Sequence, residues 1–190
     1  METKNIFLAG VGGQGILLAG ELLCLTLMEC GFDAKKSEVH GMAQRGGSVT
    51  SHVRYGPEVY SPLIPKGEAD ILIAFEALEA LRWGDFLKKG GKLLVNRQEI
   101  MPTTVTSGRM EYPGEIYEKI RKKHPGVRVV DGLGLARETG NVRAVNTVMV
   151  GAVSRELDVP LKTWKKVITR RLPERFVSLN LKAFELGRTA

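Results

Sequence analysis

A glycine-rich segment near the start of the chain constrains its fold more than any other feature. Residues 7–16 read FLAGVGGQGI, in which Gly10, Gly12 and Gly15 have the spacing G-x-G-x-x-G. An apolar run typical of a strand precedes this segment, and a long apolar run typical of a helix follows it. A strand, a tight turn and a helix in this order predict the first βα unit of an α/β fold.

The same segment is suited to bind a phosphate group. Because glycine has no Cβ, Gly10 can make the sharp turn, Gly12 can bring the backbone close to an anion, and Gly15 can pack the new helix against the sheet. Gly13 and Gln14 complete the loop, and the helix that follows presents unpaired N–H groups to negative charge. Glycine turns also arise for packing alone, so a phosphate site and a structural turn both stay open.

A second loop, within residues 37–51 (SEVHGMAQRGGSVTS), combines a fixed positive charge with a permissive backbone. Arg45 offers a planar fork of donors that matches a carboxylate or a phosphate. Gly46 and Gly47 let neighbouring N–H groups turn toward the same anion. The neutral polar candidates of the loop are His40, Gln44 and Ser48. The alternative is a surface turn whose arginine makes an ordinary salt bridge.

The second predicted strand disfavours a bound nicotinamide dinucleotide. Dinucleotide sites expect an acidic residue about 20 positions beyond the glycines, at the end of an apolar strand, to hold the ribose hydroxyls. The predicted second strand, residues 33–38, instead carries Lys35 and Lys36 and has only Glu38 as a substitute acid. We therefore expect this strand to be a half-exposed edge strand, and we expect no bound NAD.

The rest of the chain predicts an α/β domain with a mainly parallel, Rossmann-like sheet, flanked by helices and carrying one small hairpin. The hairpin is predicted from 48–55 and 58–61, around Gly56-Pro57. Further strands are predicted at 70–75, 92–96 and 127–131. Helices are predicted at 14–30, 76–87, 114–123, 135–139, 146–157, 161–171 and 176–186.

Length and composition favour one globular domain over residues 1–190. A chain of this length with 43% hydrophobic residues can bury a full core. The longest apolar stretch, residues 16–28, is interrupted by Glu21 and Thr26 and is shorter than the roughly 20 residues that span a bilayer. The N-terminus lacks the regions of a signal peptide, so a cytoplasmic location without membrane contact is expected.

Two cysteines, Cys24 and Cys30, are too few to ligate an iron-sulfur cluster or a structural zinc ion. They lie six residues apart on one predicted helix, about 240° apart around its axis, and therefore cannot pair within it. We expect this chain to bind no metal by itself. Nor does any nucleophile, base and orienting acid stand out together, so no catalytic residue is assigned.

Most of the net charge of +7 lies near the C-terminus. Residues 160–190 contain eight basic residues against Glu174 and Glu185, a net charge of +6. Such a segment can bind nucleic acid or an acidic partner. Apolar residues at helical spacing lie beneath the charges, however, which favours a solvated helix face. With only 6% aromatic residues the chain also has little to stack on bases, so no nucleic-acid partner is expected.

Three segments resemble one known family: GVGGQGILLAGELL, HGMAQRGGSVTSHVRYG and YSPLIPKGEADILIAFEALEALR. They look like the gamma-type small subunit of 2-oxoacid:ferredoxin oxidoreductases, and the resemblance covers almost the whole chain. The loop at 41–48 is most similar to the beta subunit of indolepyruvate ferredoxin oxidoreductase. Gamma subunits of pyruvate or 2-oxoglutarate ferredoxin oxidoreductases remain an alternative within the family, and a free-standing nucleotide-binding protein remains one outside it.

The resemblance implies the oxidative decarboxylation of an aryl 2-oxoacid, such as indolepyruvate, to an acyl-CoA, with ferredoxin as electron acceptor. The chain lacks the G-D-G stretch and following asparagine of a thiamine diphosphate and magnesium site. Thiamine diphosphate, Mg and the iron-sulfur clusters are therefore expected in a large alpha subunit, and ferredoxin is reached through the complex. This chain is expected to close the cavity and to help hold the coenzyme A phosphates at residues 10–15.

Overall fold

A six-stranded sheet forms the centre of the computed structural model, which describes residues 2–40 and 47–190. The strand order is β2-β3-β1-β4-β5-β6. β1, β4, β5 and β6 run parallel to one another, whereas β3 pairs antiparallel with both β1 and β2. The strands are β1 Lys4–Val11, β2 Asp33–His40, β3 Ser48–Gly56, β4 Ala69–Ala74, β5 Leu87–Asn96 and β6 Arg128–Val130. The predicted α/β class and mainly parallel sheet are confirmed.

Helices cover both faces of this sheet. They are α1 Ile16–Glu29, α2 Ala77–Trp83, α3 Thr103–Thr106, α4 Ile116–Lys123, α5 Gly132–Glu138, α6 Val145–Ser154, α7 Leu161–Arg171 and α8 Glu174–Thr189, with single 3-10 turns at Gly84–Phe86 and Val142–Ala144. One core cluster joins α1, α6, α7 and α8 to the sheet, and a second joins α2 and α4 to the opposite face.

The central strand β1 shows why a run without polar alternation predicts a buried strand. Ile6 and Leu8 belong to the first core cluster, whereas Phe7 and Ala9 belong to the second. All four side chains are fully buried, because helices lie over both faces of the sheet. No helix of the described ranges, 2–40 and 47–190, has the length and apolar content needed to cross a membrane.

The prediction of a hairpin from 48–55 and 58–61 was wrong for its second strand. β3 pairs with β2 in a register that runs from Asp33 opposite Gly56 to His40 opposite Val49, and residues 58–61 form no strand. Side chains hold the segment after β3 in place of a strand ladder. Arg54 donates to the carbonyl oxygens of Ser61 and Leu63, at 2.9 and 3.2 Å. Since β2 is one of the two edge strands of the sheet, its exposed lysines protect that edge from further pairing.

Much of the basic charge of the C-terminal helices is paired within the chain. Arg171 binds Glu21, with Nε to Oε1 at 2.6 Å, and Lys165 binds Glu185 at 2.6 Å. Glu29 accepts from both Lys166 and Arg170. The apolar side chains beneath them, Trp164, Val167 and Ile168, are fully buried. These contacts support the interpretation of the segment as a solvated helix face.

Candidate functional site

The glycine loop, residues 10–15, lies where an α/β sheet ordinarily binds its ligand. It joins β1 to α1 at the carboxyl end of β1, on the same edge of the sheet as the ends of β4, β5 and β6. Ligands of open α/β sheets bind outside the carboxyl ends of parallel strands. β2 does not lie beside β1, because β3 separates the two, so the acid-bearing strand of a dinucleotide fold has no counterpart next to the loop.

The glycines of the loop have other roles than the spacing predicts. Gly10 does not make the turn, since β1 continues to Val11, which pairs with Ser48. A Cβ on Gly10 would instead lie 2.7 Å from Gln14 Oε1 and 2.8 Å from Phe75 Cβ. The turn is made by Gly13 and Gly15, whose φ angles are 101° and 76°. These left-handed conformations suit glycine, so the turn was predicted correctly but assigned to the wrong glycine.

The N-terminus of α1 faces the loop without a side-chain cap. Gly15 stands at the N-cap position, and the first turn contains no acidic residue. The first N–H groups of an α-helix have no partner within the helix, and with the helix dipole they favour an anion. The end of α1 is therefore electrostatically suited to a phosphate or carboxylate.

Asn146 places a side-chain amide against this helix end. It belongs to α6, is 5% exposed, and its Oδ1 accepts the Thr147 N–H at 2.9 Å. Its Nδ2 then points to the loop, so that a Cβ on Gly15 would lie 2.7 Å from that nitrogen. Within residues 2–40 and 47–190, no acceptor hydrogen-bonds Nδ2. Asn146 was not predicted as a site residue, although a lone asparagine in an apolar helical run (VNTVMVGAV) is a usable signal.

Gln14 points into the protein rather than toward a ligand. Its Oε1 accepts the Val11 N–H at 2.7 Å. Its Nε2 donates to the Phe75 carbonyl at 2.7 Å and to Gln98 Oε1 at 3.0 Å. The side chain therefore braces the glycine loop, and the backbone N–H of Gln14 is also engaged, since it donates to the Val11 carbonyl at 3.2 Å.

The C-terminal end of the second loop contacts the glycine loop. The Gly12 N–H donates to the Gly47 carbonyl at 3.0 Å. Ser48 hydrogen-bonds the Glu79 carboxylate and accepts from Trp83 Nε1 at 3.1 Å, so its hydroxyl anchors β3 to α2. His40 ends β2. The other candidates, Gln44, Arg45 and Gly46, lie outside the described residues, as does the side chain of His40.

A buried carboxyl group, Glu76, follows the end of β4 and was not predicted. It follows β4 and caps α2, accepting the Glu79 N–H at 3.0 Å. Its other oxygen accepts the Ile100 N–H at 3.0 Å and the Tyr112 hydroxyl at 2.9 Å. Burial raises the pKa of Glu76 above its ordinary value. These bonds join the segment after β5 to the end of β4.

The described histidine and cysteine side chains offer no catalytic pair. His52 is packed, with its ring centroid 4.7 Å from that of Phe7, and its Nδ1 accepts the Ile64 N–H at 3.0 Å. Burial lowers the pKa of His52 and raises the pKa of the Cys24 thiol, so both groups stay neutral near pH 7. Across residues 2–40 and 47–190, no three histidine, cysteine or acidic side chains gather as metal ligands.

An open groove of about 510 Å³ extends from the N-terminus of α1 between α1 and α8. Its apolar lining includes Leu17, Leu18 and Phe176. Its polar lining includes Glu21, Arg143, Arg171 and Asn146, of which Asn146 lies against Gly15 of the loop. A ligand that combines an anionic group with a less polar arm would fit this arrangement. The anion would meet the helix N-terminus and Asn146, and the arm would lie along the groove.

Comparisons with known proteins show the family of the chain. A family model described as "Pyruvate ferredoxin/flavodoxin oxidoreductase" matches residues 5–190. Indolepyruvate oxidoreductase subunit IorB of Pyrococcus horikoshii is 41% identical, over 98% of this chain and 95% of that protein. 2-Oxoglutarate synthase subunit KorC of Methanothermobacter thermautotrophicus is 29% identical, over 97% and 93%. The gamma subunit of a keto/oxoacid ferredoxin oxidoreductase from Geobacter sulfurreducens superposes with a TM-score of 0.71 and 27% identity, over 97% and 95%.

Proposed function

The chain belongs to the pyruvate ferredoxin/flavodoxin oxidoreductase family as a small subunit of a 2-oxoacid ferredoxin oxidoreductase, and from this we propose that its enzyme acts on an aryl 2-oxoacid such as indolepyruvate. The difference in identity supports this substrate: 41% to the indolepyruvate oxidoreductase subunit against 29% to the 2-oxoglutarate synthase subunit. The product is an acyl-CoA, and ferredoxin accepts the electrons.

In this complex the subunit closes the active-site cavity and holds the phosphates of coenzyme A at residues 10–15. One observation carries this assignment: the uncapped N-terminus of α1 faces the glycine loop, with the amide of Asn146 turned toward it. Backbone N–H groups and the helix dipole stabilise the phosphates, and the adjoining groove takes the less polar arm of the coenzyme. No residue of this chain receives a catalytic role.

The other cofactors come from the partner subunit. Two thiols cannot ligate an iron-sulfur cluster, and Cys24 faces the Ala34 carbonyl at 3.6 Å. The donor groups of this chain therefore do not fit a cluster, and the sequence has no thiamine diphosphate motif. We assign thiamine diphosphate, Mg and the clusters to a large alpha subunit, where thiamine diphosphate supplies the decarboxylation chemistry.

Co-purification tests this assignment. The tagged full-length chain, isolated from its native host, should bring along a larger polypeptide that contains iron and thiamine diphosphate. The complex should reduce a viologen dye when indolepyruvate and coenzyme A are supplied, and the chain alone should not. Dye reduction by the isolated chain with added thiamine diphosphate would refute the assignment of the cofactors to the alpha subunit. A preference of the complex for pyruvate or 2-oxoglutarate would refute the proposed substrate.

Gly12→Ala in the assembled enzyme should raise the KM for coenzyme A by about fivefold or more, which corresponds to about 1 kcal/mol of binding. Gly12 is exposed at the mouth of the loop, so the added methyl group would stand where the phosphates approach. Decarboxylation of the oxoacid without an acyl acceptor should be unchanged, since that chemistry lies on the partner. Steady-state kinetics with coenzyme A varied measures the KM, and carbon dioxide release from the oxoacid without coenzyme A measures the decarboxylation.

Gly114→Ala is the matched control for this variant. Gly114 is exposed, has no left-handed φ, and a Cβ there would meet no atom within 4 Å. It should leave the coenzyme A dependence unchanged. A folded and assembled Gly12→Ala enzyme with the same KM for coenzyme A as wild type would mean that the glycines serve only to turn the chain and pack the helix.

A further inference from the structure

A closed ring of four hydrogen bonds lies beneath the glycine loop. Two –NH₂ groups, Gln14 Nε2 and Asn96 Nδ2, each donate to the same two oxygens, the Phe75 carbonyl and Gln98 Oε1. Gln14 donates at 2.7 and 3.0 Å, and Asn96 at 3.1 and 3.0 Å. The ring joins the glycine loop to the ends of β4 and β5.

Backbone groups dictate how each amide in the ring is oriented. Gln14 Oε1 must accept the Val11 N–H, and Asn96 Oδ1 must accept the Gly132 N–H at 3.1 Å. Both –NH₂ groups therefore turn toward the centre, so Gln98 has to present an oxygen. The backbone of Gln98 is itself fixed, because its carbonyl accepts the Ala77 N–H at 2.9 Å and its N–H donates to Asn96 O at 2.7 Å.

The ring bears directly on the shape of the loop. Gln14 is a loop residue whose side chain folds over Gly10, into the space that a Cβ would otherwise fill. Without an acceptor from Gln98, one proton of Gln14 Nε2 and one of Asn96 Nδ2 would lose their partners. Asn96 is fully buried, so an unpaired donor there is costly and the side chains would rearrange.

We propose that Gln98 is a positioning residue, which fixes the glycine loop in its binding conformation by holding Gln14. The effect on the loop depends on the ring alone, whereas the effect on coenzyme A rests on the proposed function. A loop held in its bound shape before the ligand arrives avoids the entropic cost of ordering. Gln98 thus contributes to coenzyme A affinity without touching the coenzyme.

Two variants separate the acceptor role of Gln98 from its bulk. Gln98→Met fills a similar volume but removes the oxygen, whereas Gln98→Glu keeps an acceptor for both –NH₂ groups. In the full-length chain, amide hydrogen exchange reports on the loop at Val11 and Gln14. The Val11 N–H donates to Gln14 Oε1, and the Gln14 N–H donates to the Val11 carbonyl. Exchange at both positions should accelerate about tenfold in Gln98→Met, as expected when two hydrogen bonds are lost, and by less than about threefold in Gln98→Glu.

The assembled enzyme supplies the second readout, in which Gln98→Met should raise the KM for coenzyme A and leave acceptor-independent decarboxylation unchanged. Unchanged exchange at Val11 and Gln14 in Gln98→Met would overturn the proposal. Equal acceleration in α7, which makes none of the hydrogen bonds of the ring, would also overturn it, because that pattern indicates general destabilisation. Faster loop exchange with an unchanged KM would uphold the positioning role and refute coenzyme A binding at this loop.

Discussion

Replacing Gly151 by alanine is expected to lower the free energy of unfolding by about 3 kcal/mol or more, at or above the usual cost of overpacking a core. Gly151 of α6 lies against the backbone of α8, and a Cβ there would stand 2.1 Å from the Phe184 carbonyl oxygen. The reverse contact is equally close, since a Cβ on Gly187 would stand 2.0 Å from the Val148 carbonyl oxygen. Backbone atoms cannot rotate away as a side chain can, so the helices must separate.

Urea unfolding of the full-length chain, followed by circular dichroism, measures this effect. Gly126→Ala is the matched control, because Gly126 is exposed, has no left-handed φ, and a Cβ there would meet no atom within 4 Å. The control should remain within about 0.5 kcal/mol of wild type. A free energy of unfolding within about 1 kcal/mol of wild type for Gly151→Ala would contradict the close crossing of α6 and α8. Since α6 also carries Asn146, separating these helices should weaken the candidate site as well.

Arg45→Lys is expected to lower kcat/KM of the assembled enzyme about ten- to hundredfold, because a bidentate charge-assisted contact is worth on the order of 1.5 to 3 kcal/mol. We propose that Arg45 fixes a carboxylate or phosphate at the cavity or the subunit interface. Gly47 follows Arg45 by two residues, and its carbonyl accepts from Gly12. The C-terminal end of the second loop thus contacts the glycine loop. Lysine keeps the charge but loses the planar fork of donors.

Steady-state kinetics on the purified complex, with indolepyruvate and coenzyme A varied in turn, checks this expectation. Arg109→Lys is a suitable control, since Arg109 is an exposed arginine that follows α3 and belongs to neither loop, and it should leave kcat/KM unchanged. If Arg45→Lys assembles with its partner and turns over within a factor of about two of wild type, Arg45 is only a surface residue.

The glycine loop illustrates how far local sequence reasoning reaches. An apolar strand, several glycines and an apolar helix are contiguous in the chain, so the pattern predicts the βα unit without any tertiary information. Which glycine makes the turn is a different matter. β1 extends past Gly10 because Val11 pairs with Ser48, and that partner lies 37 positions away in the chain. The turn therefore moves to Gly13 and Gly15.

The sequence by itself determined the α/β class, the approximate position of most helices and strands, and a resemblance that the family match confirms. These features depend on side-chain periodicity and on motifs that are contiguous in the chain. Only the tertiary structure decided the strand order, the pairing of β3 with β2, and the placement of Asn146 and Gln98 around the glycine loop. These features depend on contacts between residues far apart in the chain. Such contacts form the helix crossing that positions Asn146 and the hydrogen-bond ring that holds Gln14. No local pattern encodes them.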